Sequence, residues 1–143
     1  MGMSFGMMLA ATLTAQPREE ATVESLKARI SSASAGEKPH LCIAVAQLQL
    51  AEADKLYATS DVDKAQTALT DVVTYSELAR DYAIQSHKYQ KQSEIAVRGM
   101  TRKLTDILHS LGHQDQVAVK DAVTRLQRVR DDLLNAMFKK GAK

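Results

Sequence analysis

The sequence predicts an all-α fold of antiparallel helical hairpins, and three observations carry that reading. Apolar residues recur at three- and four-residue spacing over most of the 143 residues. Two Pro and six Gly in the whole chain are too few for a turn-rich β-sandwich. The breaks that do occur fall at a few discrete places, around Pro39, Ser60-Asp61 and Gly112. The length suits one domain with a sizeable core, and 45% hydrophobic content excludes a disordered chain. A single Cys excludes both an intramolecular disulfide framework and a Cys-rich zinc site. No run of eighteen apolar residues is present, so a membrane-spanning helix is not expected.

At the N-terminus, residues 5–13 are uncharged and largely apolar, and Thr14-Ala15-Gln16-Pro17 follows. The pattern resembles the end of a secretory signal with cleavage after Ala15, although no Lys or Arg precedes it. Residues 1–15 are then a signal-like segment, and 16–143 form the domain of an exported, periplasmic bacterial protein, with a cytoplasmic location as the alternative. The competing reading is an apolar arm that packs on the domain or on a second copy.

The first helix is expected over 23–30, with Thr22 as N-cap and Val23, Leu26 and Ile30 on one face. Gly36-Glu37-Lys38-Pro39 makes the next turn. From Pro39 to Ala58 the apolar residues nearly encircle the N-terminal end of the second helix, which marks it as the central one. From Val62 onward, Ala65, Leu69, Val72, Ser76, Ala79, Ala83, Ser86, Gln90, Ser93, Val97, Met100, Leu104, Ile107 and Leu111 keep one phase. That favours a single long helix over about 61–111, kinked if anywhere at 86–93, with a break near Ser86-His87 as the alternative. Gly112 is placed to stop it, Asp115 to cap the last helix over about 116–139, and that helix folds back on the second half of the long one.

Ala53, Leu56, Tyr57, Ser60, Asp61, Lys64, Ala65 and Leu69 stand as in a tetratricopeptide repeat, so residues 44–72 resemble one such hairpin. No second copy follows at the 34-residue period of that repeat. The resemblance implies protein–protein binding without catalysis.

Candidate sites are few. The thin middle of the long helix carries small and polar residues, Ala79, Ala83, Ser86, Gln90 and Ser93, which suit close docking of a partner helix or a second copy. Tyr75, Tyr82 and Tyr89 recur every seven residues along one face and flank that seam, with rings that cover the apolar stripe. Asp106, His109 and His113 have the spacing of a metal site, but Gly112 interrupts the helix between the histidines, so no metal or cofactor is expected. His40 and Cys42 are weaker still; Cys42 is a small buried residue or, in an exported protein, one half of an intermolecular disulfide. Residues 1–71 hold six Lys/Arg against nine Asp/Glu, and residues 72–143 hold thirteen against eight. The basic half includes Arg98, Arg102, Lys103, Arg125, Arg128 and Arg130, yet no nucleic-acid motif accompanies them, and nucleic acid or anionic lipid ranks last among partners. No phosphate loop, GxSxG or HExxH occurs, so the expectation is a non-catalytic interaction protein. Its alternative is a bundle that holds a small ligand or metal between the two hairpins.

Overall fold

A computed structural model describes residues 22–141. The elements are α1 (Val23–Ser32), α2 (Lys38–Ala58), α3 (Val62–Ser86), α4 (Gln90–Ser110) and α5 (Gln116–Gly141), with a single 3-10 turn at His113–Asp115. The fold is all-α, and the signal-like segment 1–15 lies outside the described residues.

Local chemistry accounts for most boundaries. The Thr22 hydroxyl accepts from the Ser25 N–H at 3.1 Å and caps α1. Pro39 occupies the first turn of α2, where its missing N–H costs nothing. The α2–α3 turn places Ser60 in the left-handed region at φ 62, and the Asp61 N–H reaches back to the Leu56 carbonyl at 2.8 Å, satisfying the end of α2. Gly112 does not end α4 as a left-handed cap; α4 closes on Leu111, and the Gln116 amide donates to the carbonyls of Leu108 and Leu111.

The long helix expected over 61–111 is two helices. The chain turns within residues 87–89, where His87 (φ 56) and Tyr89 (φ 66) are left-handed although neither is glycine. Such a conformation costs roughly 1–2 kcal/mol per residue, and burial behind it supplies the compensation. A straight helix of fifty residues would run about 75 Å and leave half its seam in water. Turning brings Val97, Met100, Leu104 and Ile107 into the core that also holds Val72, Ala79 and Ala83. Burial of each Leu or Val is worth about 1.5–3 kcal/mol. The common phase of the two halves is therefore real, and it describes one core rather than one helix.

α2 and α3 form one antiparallel hairpin, α4 and α5 the other. The hairpins stack with like helices side by side. Glu77 pairs with Arg125 and Arg80 with Asp132, so α3 and α5 run in the same direction, and α2 and α4 must then do likewise. α2 touches α1, α3 and α4, which explains why its N-terminal half is apolar all round.

Candidate interaction groove

The eight residues expected to form a docking seam do not stand free. Ala79, Ala83 and Ser93 are completely buried inside the chain's own core. Ser86 and Gln90 are half-buried at the α3–α4 turn, where the Ser86 hydroxyl accepts from the Lys88 N–H at 3.3 Å. The exposed-seam expectation fails because α4 and α5, by folding back, cover the stretch that a straight helix would have left bare.

The tyrosine line is engaged in the same way, ring by ring, with groups from the N-terminal part of the domain. The Lys27 ammonium of α1 sits 5.2 Å from the centre of the Tyr75 ring, and the Lys38 ammonium of α2 lies 5.1 Å from that of Tyr82. Tyr89 shares a hydrogen bond of 2.9 Å with His40 Nδ1, with the two rings edge to face. The strained turn is thereby pinned to the start of α2. Lys88 also lies against Gly36, where a Cβ would meet the Lys88 Cδ at 2.6 Å.

Most of the basic cluster is neutralised internally. Glu94, 5% exposed, accepts from Arg98 at 2.6 Å and from Arg130 at 2.9 Å. The Arg98 hydrogen bond first, and Arg130 after it, hold the Glu94 carboxyl below the usual carboxylate range against the opposing effect of burial. Arg125 pairs with Glu77 at 2.8 Å and Lys103 with Asp54 at 3.0 Å. Cys42 is completely buried, and burial pushes its thiol up to about 11. Asp106 and His109 lie on α4 and His113 beyond its end, and no group of three metal-ligating side chains is assembled among the described residues. Among those residues, no helix is long and apolar enough to cross a membrane. Among the described residues, the buried hydroxyls of Tyr57, Ser76 and Ser93 have no hydrogen-bond partner.

The feature that sequence reasoning missed lies between α2 and α4. There the two hairpins leave an open groove of about 620 Å³. Leu50 and Met100 lie at its base, and Ala51, Ala96 and Gly99 make its walls low. Ile95, 51% exposed, stands on one wall, and the Asp54–Lys103 ion pair lines the same groove. Gly99 is the informative residue. It sits in the middle of α4 with no left-handed backbone to require it, and among the described residues no atom beyond α4's own nearby backbone lies within 4 Å of where a Cβ would stand. A glycine there costs about 1 kcal/mol relative to alanine, and neither backbone nor packing explains it. Two signals in the sequence pointed here: Gly99 is the only glycine between Val62 and Leu111, and Ile95 is off the apolar phase.

Comparison of the chain with family models, with curated proteins and with solved structures finds no match, so the functional reading rests on this geometry.

Proposed function

We propose that this chain is a non-catalytic helical interaction module, exported from the cell, that receives an apolar segment of a protein in the groove between α2 and α4. One observation carries the reading: a half-exposed Ile95 beside a glycine that leaves its groove unfilled, whereas the other exposed large apolar side chains, Leu48, Val117 and Phe138, do not line this groove. Apolar surface rimmed by polar groups gains free energy when covered, whereas scattered single residues do not need cover. The tetratricopeptide-like hairpin over 44–72 points to the same class of function. The contact surface moves from the middle of the long helix to the groove, because Ala79, Ala83 and Ser93 are not accessible.

The test is a photo-reactive phenylalanine analogue in place of Ile95, irradiated in the producing cell. One adduct of defined mass is expected, lost when Gly99→Arg fills the groove and absent when the analogue replaces Gln127 on the exposed side of α5. Equal labelling from both positions would overturn the reading.

A second reading has an observation of its own. The groove lies between the hairpins, and its volume of about 620 Å³ falls within the range of small-ligand sites. A ligand of that size would raise the thermal midpoint of the purified chain, and Gly99→Arg would abolish the rise.

A further inference from the structure

We propose that the turn at 87–89 is a hinge, and that two copies of this chain exchange their α4–α5 hairpins when it opens into continuous helix. The exchange does not require an occupant in the α2–α4 groove. It follows from the strain in the turn, from the apolar phase that runs through it, and from the bonds that hold the two hairpins together.

The turn is held against local preference. His87 (φ 56) and Tyr89 (φ 66) are left-handed, a conformation that sets each Cβ against the following carbonyl. Tyr89 stands at the N-cap of α4, and its side chain makes no capping bond there. Interrupting a helix leaves backbone acceptors unpaired on one side of the break and donors on the other, and continuing the helix pairs them. Residues 84–92 contain no Gly, Pro, Asn or Asp, so no helix breaker stands in the way. A short connection under strain is the setting in which identical elements are exchanged between copies.

The phase fixes what an opened chain can do. Ala79, Ala83, Ser86, Gln90, Ser93 and Val97 keep three- and four-residue spacing across the turn, so a helix continued through 87–89 carries the inward faces of α3 and α4 on one side. Such a helix cannot fold back on its own α2–α3 hairpin, and the same stripe of a second copy, lying antiparallel, covers it. Each α3 then meets the α4 and α5 of the other copy in the pairing that one chain makes with itself. Glu77–Arg125 at 2.8 Å, Arg80–Asp132 at 3.1 Å and Asp54–Lys103 at 3.0 Å tie the two hairpins, and all three re-form between copies. Glu94–Arg130 lies within the exchanged hairpin and is kept. The closed chain's own contacts are those of the turn: Tyr89 with His40 at 2.9 Å, and Lys88 with the Ser86 hydroxyl and Gly36. Core and ion pairs are thus common to both forms, and the balance rests on the turn and on concentration. Each α2–α4 groove of the pair takes α2 from one copy and α4 from the other.

The test places single thiols at the α3–α5 ion pair. Full chains carrying Glu77→Cys or Arg125→Cys, each with Cys42→Ala, are co-expressed, so that exchange can occur as they fold, and treated with a short bismaleimide. The mixture should give a covalent dimer that neither variant gives alone, because only exchange sets position 77 of one copy beside position 125 of the other. Light scattering behind a sizing column then reads the dimer fraction of chains without added cysteines. His87→Gly with Tyr89→Gly removes the left-handed cost and should deplete the dimer at least about tenfold. Tyr89→Ala frees His40 and favours helix, and should enrich it. Gly99→Arg, which fills the groove, should leave the fraction unchanged. No cross-link in the mixture beyond those of the single variants would overturn the exchange. A dimer that the two glycines leave undiminished would overturn it as well, since closed chains would then be associating through another surface.

Discussion

The two sides of the helical stack are built alike and finished differently. On one side α3 lies beside α5, and on the other α2 lies beside α4. Each side has an open hollow, about 500 Å³ on the α3–α5 side and about 620 Å³ on the α2–α4 side. The first is walled by Arg80, Asp81, Asp132 and Lys139, with Arg80 bonded to both aspartates. The second is walled by Ala51, Ile95, Ala96 and Gly99, with Gln47, Lys55 and the Asp54–Lys103 ion pair at its edge. Backbone geometry thus permits a hollow on either side, and side-chain chemistry decides what each can take. The α3–α5 hollow sets Ile84 and Ala136 among ion-paired side chains, whereas Leu50, Ile95, Ala96 and Met100 give the α2–α4 groove more apolar lining, and apolar surface gains when covered.

The largest effect is expected where the two environments are compared with one substitution. Ala83→Glu puts a charge and four extra heavy atoms into a completely buried site on α3, and should cost more than about 4 kcal/mol. Ile95→Glu puts the same group on the open wall of the groove and should change stability by less than about 0.5 kcal/mol. Urea denaturation of both variants measures the contrast. A well-folded Ala83→Glu chain would mean that the seam is not core, and the comparison between buried and open surfaces would collapse.

A middle-sized effect belongs to Glu94, which joins α4 to α5. Removing the carboxylate by Glu94→Ala takes the shared partner from Arg98 and Arg130, both of which stay largely hydrated, and about 2 kcal/mol of destabilisation is expected from the lost charged hydrogen bonds. The pH dependence has a definite sign. The folded carboxyl is held below its ordinary range, so its contribution is present above the ordinary value of about 4.3 and is lost as pH falls through the lowered one. Glu94→Gln should flatten that part of the acid limb in a pH series of melting curves. An unchanged acid limb would assign the acid sensitivity to other carboxylates.

How much of this was legible in the sequence follows from what periodicity encodes. The apolar phase marked the buried faces of α3 and α4, since Ser76, Ala79, Ala83, Ser93, Val97 and Leu104 all prove buried, while Ser86 and Gln90 at the turn are half-buried. Phase cannot tell a straight helix from two folded halves that share one core. The reversal at 87–89 uses His87 and Tyr89 where a turn signal would have been Gly or Asn, and its support comes from His40, some 49 residues away. The expectation of an exposed seam followed from preferring a continuous helix to the break near Ser86-His87, which is where the chain turns. The groove was illegible for a different reason, since it is bounded by α2 and α4, and neighbours of that kind exist only once the hairpins are stacked.

The smallest effect probes the difference between the two sides most directly. Gly99→Ala should stabilise the chain by about 1 kcal/mol, because the site is an exposed helix interior with ordinary backbone and no atom in the way of a Cβ. Gly99→Arg should stabilise it nearly as much, since Arg ranks close to Ala in helix propensity. The two variants then part company over the groove. Alanine only roughens the wall, while arginine lays a long side chain across the opening beside Ile95. Equal melting temperatures with unequal docking would locate the function of Gly99 in the space it leaves. A melting temperature lowered by alanine itself would instead mean that the backbone needs this glycine, and the open groove would lose its strongest argument.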